Sequence, residues 1–175
     1  VCGFKSEKNM KNKKIKNHIG ALLIILGGYS LVATGCGPGE SAEAAPELVN
    51  EIVITGNDRM RFAPTQFYVR AGDTITLTLE NIGRMPKESM GHNLVIIDKS
   101  LQPNAFAAAS IGFPQTSYIA TQYEDKVVAF TQVLGPGEKE TIVFTAPDVS
   151  GDYPFVCSFP GHTPAGMKGI MTVVE

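Results

Sequence analysis

Histidine, cysteine and positive charge are all scarce in this chain, and each scarcity narrows what it can be. Among 175 residues there are three histidines and three cysteines. His18 lies in a basic stretch near the start, so the rest of the chain has only His92 and His162 for imidazole chemistry. Past Cys36, 9 Lys and Arg face 16 Asp and Glu, a balance of about −7. That acidity excludes sequence-independent binding to nucleic acid phosphates. Long apolar runs are missing too, because the run from Ile19 to Val32 is shorter than the roughly 18 to 20 residues a spanning helix needs. With 43% apolar and 18% charged residues, what is present suits one globular domain.

The N-terminal segment has the pattern of targeting rather than of fold. Lys11 to His18 form a basic stretch after Met10, the apolar run follows, and Ala33-Thr34-Gly35 stand directly before Cys36. These are the parts of an export signal over residues 10–35. The small residues before Cys36 are similar to a bacterial lipoprotein signal, in which Cys36 would carry the lipid. An uncleaved anchor and release by ordinary cleavage are the alternatives, and all three put the domain outside the cytoplasm, in the periplasm or at the cell surface. Residues 1–9, including Cys2, precede the expected start and are set aside. Residues 36–47 lack large apolar side chains after Cys36 and read as a flexible tether. The folded domain is expected over residues 48–175.

Within that domain short segments alternate apolar and polar residues with period two. Ile75, Leu77 and Leu79 fall on one face of a strand and Thr74, Thr76 and Thr78 on the other. Similar runs at 51–55, 66–70, 92–97, 127–133, 140–145, 153–157 and 169–174 bring the expected count to about eight strands. Turn signals such as Ala71-Gly72-Asp73 and Gly135-Pro136-Gly137 separate them. The expected fold is all-β, a Greek-key β-sandwich. Residues 99–126 break the pattern and read as a flap, with a short helix at 104–111.

Chemistry is concentrated in Cys157-Ser-Phe-Pro-Gly-His162-Thr-Pro-Ala-Gly-Met167. A thiolate at a strand end, an imidazole five residues on and a thioether five beyond that converge if the loop curls, and Pro160, Gly161, Pro164 and Gly166 supply the curl. His92 opens a strand that a Greek key can set beside the Cys157 strand. Taken singly, each His is better explained as a core or surface residue and Cys157 as a buried apolar one; a disulfide with Cys36 is a further alternative in an oxidising compartment. Together, two imidazoles, one thiolate and a weak thioether make a trigonal site that selects copper and supports one-electron transfer. Met171 reads as packing. Met60, Met85 and Met90 scatter over separate loops, as rim packing or as a docking surface.

At these residues the chain resembles azurin and the wider cupredoxin family. Thr55 to Phe62, Met85-Pro-Lys-Glu-Ser-Met-Gly-His-Asn93, Gly137-Glu-Lys139 and Cys157-Ser-Phe-Pro-Gly-His162 carry the resemblance, which runs across nearly the whole domain. It implies one copper ion held by His92 Nδ1, Cys157 Sγ and His162 Nδ1, with Met167 axial and the Gly91 carbonyl opposite. Asn93 would brace the copper loop, beside Ser158 and Phe159. Four residues separate His162 from Met167, where azurin has three, a spacing similar to rusticyanin and plastocyanin. Azurin's N-terminal disulfide is absent, with Asn50 near its first expected position, and the tethered layout resembles auracyanin.

The implied function is a carrier cycling Cu(II) and Cu(I) between redox proteins, such as cytochromes or a terminal oxidase or reductase. A monomer and a membrane attachment are expected. A copper enzyme on the same fold would need a second centre with more histidines, and a metallochaperone or zinc domain would use the same ligands for binding alone. An apolar docking patch is expected around His162, from Met60, Met85, Pro86, Met90, Pro160 and Gly161.

Overall fold

The structure is a computed structural model describing residues 45–175. The expected export signal, Cys36 and most of the tether lie outside the described residues. Among the described residues no helix is long and apolar enough to cross a membrane.

The period-two pattern becomes two packed sheets. One has the order β2-β1-β4-β7, built from β1 (Glu51–Asn57), β2 (Arg61–Ala63), β4 (Thr74–Asn81) and β7 (Lys139–Thr145). The other has the order β3-β9-β8-β5-β6, from β3 (Gln66–Arg70), β5 (Val95–Ile97), β6 (Val127–Phe130), β8 (Gly151–Val156) and β9 (Lys168–Val174). Strand β4 follows the alternation residue by residue: Ile75, Leu77, Leu79 and Asn81 are buried and the residues between them are not. Ile75, Leu77 and Leu79 meet Ile54, Ile96, Phe155, Met171 and Val173 of the other strands, together with Leu94, in one core. Each fully buried aliphatic contributes about 1.5–3 kcal/mol relative to exposure.

Strand pairing across sequence distance fixes the chain ends of the sandwich. β1 runs parallel to β4, β3 runs parallel to β9, and β8 is antiparallel to both β5 and β9. The β5–β8 pair, with Val95 opposite Val156, sets the His92 and Cys157 segments side by side.

The strands number nine among the described residues, one more than expected, because Arg61–Ala63 doubles back on β1. Two expected strands are also shorter. His92 joins only an isolated bridge to Leu134, and β6 stops at Phe130. The reason is local: the backbone N–H of Leu94 donates to Thr131 Oγ1 at 3.0 Å, so a side chain takes one half of the next rung while the Thr131 N–H keeps the other, donating to the Leu94 carbonyl at 2.9 Å.

The flap helix α2 spans Pro103–Ser110, shifted one residue toward the N-terminus because Pro103 starts it at a position where its missing N–H costs nothing. Phe106 and Ile119 pack on Val95, Ile97 and Val156, so the flap has its own small core on the outer face of the second sheet. A further single-turn helix, α1 (Lys87–Met90), went unanticipated. The Gly91 N–H closes it by donating to the Lys87 carbonyl at 2.9 Å. A β-carbon on Gly91 would lie 2.5 Å from Val133 Cγ1, so the residue preceding His92 has no room for a side chain.

Candidate metal centre

Three donor atoms converge at one end of the sandwich. His92 Nδ1 faces His162 Nδ1 at 3.2 Å, and Cys157 Sγ lies 3.3 Å from the same His162 nitrogen. All three donor atoms lie within 4.8 Å of one another. His92 and Cys157 are fully buried and His162 keeps 3% of its surface exposed. Cys157 is a free thiol among the described residues.

The loop that carries two of these donors is closed by its own backbone. The Cys157 N–H donates to the Met167 carbonyl at 3.0 Å and the Met167 N–H to the His162 carbonyl at 2.9 Å. Gly161 (φ 86°) and Gly166 (φ 107°) occupy left-handed conformations that side chains resist. Thr163, buried, donates its hydroxyl to the Cys157 carbonyl at 2.7 Å. Arg61 ties the loop to β2 from outside, its Nη1 donating to the Ala165 carbonyl at 2.6 Å and to the Met60 carbonyl at 2.8 Å. The four-residue spacing between His162 and Met167 is thereby accommodated in an ordered turn.

Met167 is fully buried beside these donors. Its Cε lies 2.9 Å from the position a β-carbon on Gly56 would take, and that same position is 3.2 Å from His92 Cδ2. Gly56 is thus a floor that lets the thioether and the His92 ring approach β1. Gly56 lies in the family-like stretch Thr55 to Phe62, but nothing in the sequence marked this role, a contact made 36 and 111 residues away along the chain.

A polar network braces the other side. Asn93 Oδ1 accepts the Ser158 N–H at 2.9 Å, while its Nδ2 donates to Ser158 Oγ at 2.8 Å and to the Ser117 carbonyl at 2.6 Å. Asn93, Ser117 and Ser158 are all buried. Phe159 lies between the His162 ring, 4.8 Å away, and the edge of Tyr118, 5.2 Å away. Ser117 and Tyr118 come from the flap, with left-handed φ of 55° and 57°. They were not singled out by sequence, because the flap carries no periodic pattern that would aim them.

The electrostatics of the site favour a cation. Burial pushes the Cys157 thiol up to about 12, with backbone groups of Asn93 and Phe159 pulling weakly the other way. Burial and the adjacent His92 push His162 down to about 4. Burial also lowers His92, against smaller opposing effects from the backbone of Asn57, the Asp58 carboxylate and the Gly91 backbone. Two neutral imidazoles and a thiol therefore line a pocket in which a metal would replace the thiol proton. With His162 Nδ1 3.2 Å from His92 Nδ1 and 3.3 Å from Cys157 Sγ, the three atoms are near enough to share one first-row ion. The donor set fits copper.

Of the expected docking residues, Met85, Pro86 and Gly161 are exposed, and Met60, Met90 and Pro160 are half-buried.

Residues 49–174 match the copper binding proteins of the plastocyanin/azurin family. The chain belongs to that family. It is 32% identical to azurin of Bordetella pertussis over 154 residues, covering 86% of this chain and 97% of that protein. It is 36% identical to Outer membrane protein H.8 of Neisseria gonorrhoeae over 124 residues, 70% of this chain but only 66% of that protein's length. Among solved structures, dithionite-reduced auracyanin from Roseiflexus castenholzii is similar with a TM-score of 0.66 and 32% identity, covering 74% of this chain and 100% of that one. Family, fold and donor set together point to a blue copper electron-transfer protein with one copper ion.

Proposed function

We propose that this cupredoxin is a one-electron carrier, not an enzyme, working outside the cytoplasm on a membrane tether. The observation that carries the reading is the convergence of His92 Nδ1, Cys157 Sγ and His162 Nδ1 within 4.8 Å in a buried pocket. These three atoms would hold the copper, with the Met167 thioether and the Gly91 carbonyl as weaker donors. Copper, when bound there, supplies a Cu(II)/Cu(I) couple. The protein's part is to keep its ligands in one arrangement in both oxidation states. Asn93 holds the start of the copper loop through Ser158, and Arg61 holds its end at Ala165. With the N–H groups of Cys157, His162, Ala165, Gly166 and Met167 hydrogen-bonded within the loop, little rearrangement accompanies the change of charge.

Both histidines of the domain are used in this one centre, which leaves no imidazole for a second, substrate-binding metal. Electrons pass through His162, the ligand whose loop includes exposed Gly161 and Pro164. Redox proteins such as cytochromes or a terminal oxidase or reductase would dock on the collar of Met60, Met85, Pro86, Met90, Pro160 and Gly161, and the carrier acts as a monomer. Residues 10–35 serve as the export signal, Cys36 carries the lipid and the segment to residue 47 is the tether, with the domain over residues 48–175. Likeness to a protein named for the outer membrane supports that placement.

The decisive experiment adds one equivalent of Cu(II) to the purified metal-free protein. An intense blue or green thiolate charge-transfer band that bleaches with a mild reductant and returns on oxidation is the expected result. A stable colourless complex would mean a storage or structural metal site instead.

A further inference from the structure

The charge on the described residues is divided very unevenly. Residues 45–175 hold nine basic side chains and fourteen acidic ones. The loops around the metal end, residues 57–61, 82–91, 133–138 and 157–168, hold five of the basic ones (Arg59, Arg61, Arg84, Lys87, Lys168) and only three acidic ones (Asp58, Glu88, Glu138). The remainder has four basic against eleven acidic. An acidic domain thus carries a positive end, and that end surrounds the metal site.

Two of the three acidic groups there are occupied internally. The Asp58 carboxylate accepts the backbone N–H groups of Arg84 at 2.8 Å and Met85 at 3.4 Å, tying the β1–β2 loop to the loop before α1. Glu138 accepts the Gly135 N–H at 2.7 Å and pairs with Lys87 at 3.2 Å. Arg59 and Arg84 are exposed, and among the described residues neither forms an ion pair. They flank one open cavity of about 300 Å³, which Asp58 and Ile82 also line. Beside it Met85 is 43% exposed and Ile82 57% exposed. An apolar centre with unpaired guanidinium groups at its rim is the composition of a contact surface rather than of a solvated face.

We propose that this rim, led by Arg59 and Arg84, is the docking surface for a redox protein with an acidic face, whose carboxylates enter between the two guanidinium groups. The proposal rests on the electron-carrier reading above. Steering by such a rim acts on encounter, so its signature is in the rate and its dependence on salt. A carrier read only by its total charge would repel acidic partners, so the rim reverses the expected sign.

The test uses the copper-loaded full chain and one probe in two forms: a lysine-faced c-type cytochrome, and the same cytochrome with its lysines succinylated. At about 10 mM salt the succinylated form should react faster, and its rate should fall roughly tenfold or more toward 0.5 M salt as screening removes the attraction. The double variant Arg59→Glu/Arg84→Glu should lose that advantage and reverse the salt slope. Arg59→Gln/Arg84→Gln should flatten it. The copper–thiolate band stays in place in each, reporting an intact centre. Faster reaction with the lysine-faced form, or identical slopes in wild type and double variant, overturns the rim. Absence of electron exchange with either form, at any salt, overturns the carrier reading itself.

Discussion

Gly56 on β1 and Met167 at the end of the copper loop are in direct contact, the Met167 methyl 2.9 Å from where a β-carbon on Gly56 would sit. Real β-carbons do not come that close, so Gly56→Ala has to move the thioether or the His92 ring. Overpacking of this kind costs about 1–3 kcal/mol. The expected outcome is a lower melting temperature, with copper retained and its absorption spectrum and reduction potential altered. An unchanged potential would detach Met167 from the metal.

The thiolate and the thioether are expected to separate cleanly. Cys157→Ser should abolish the intense colour, since thiolate bonding dominates the chromophore, whereas Met167→Leu should keep a coloured copper site and raise the potential. Optical titration and voltammetry of the two variants check this. Identical potentials in wild type and Met167→Leu would count against axial ligation.

Acid should weaken the metal-free protein in a defined window. His162 ordinarily titrates near 6.5 and is held down to about 4 in the fold, so the unfolded chain binds more protons in between. Stability therefore rises with pH there. The contribution is complete above about 6.5 and is lost as the pH falls through about 4, and thermal melts between pH 7.5 and 4 should follow that course. Cys157, pushed up to about 12, is a neutral thiol at pH 8. Copper uptake at that pH should release one proton per site, measurable in a pH-stat.

Much of this was readable in the residues and some was not. The alternation in Thr74–Asn81 is a strictly local pattern, and the donor loop lies within eleven consecutive residues, so both were visible without coordinates. His92 was harder, needing the β5–β8 pairing, but the shortage of histidines pointed to it. Arg61 and Gly56 lie in the family-like stretch Thr55 to Phe62, yet what each does there was not legible. Arg61 meets Ala165 across 104 residues, and Gly56 matters through the side chains it admits rather than through any it carries. The short strand Arg61–Ala63 and the single turn Lys87–Met90 are too brief to show a period.

Asn93 offers a test of loop bracing that is separate from ligation. Asn93→Ala leaves the buried Ser158 N–H without its partner, at about 1–3 kcal/mol, and the Ser117 carbonyl with only the Ser158 hydroxyl at 3.4 Å. Copper affinity should fall by roughly 10- to 100-fold, the usual effect of removing such a support. Competition with a copper chelator measures it. Full affinity with only lower stability would confine Asn93 to the fold.

Membrane attachment is expected to depend on one atom outside the described residues. Cys36→Ser should move the full-length protein from the membrane fraction to the soluble one, or stop signal processing. Mature protein beginning well beyond Cys36 would remove the lipid anchor.

The order in which the centre can be assembled follows from where its donors sit in the topology. Cys157, His162 and Met167 all come after every strand except β9, and β9 is held between β8 and β3, a strand laid down about a hundred residues earlier. A chain emerging N-terminus first presents His92 long before it has a thiolate to set beside it. The complete donor set therefore exists only in a chain synthesised through Met167, and the sheet that steadies the donor loop closes only when β9 has joined β8 and β3.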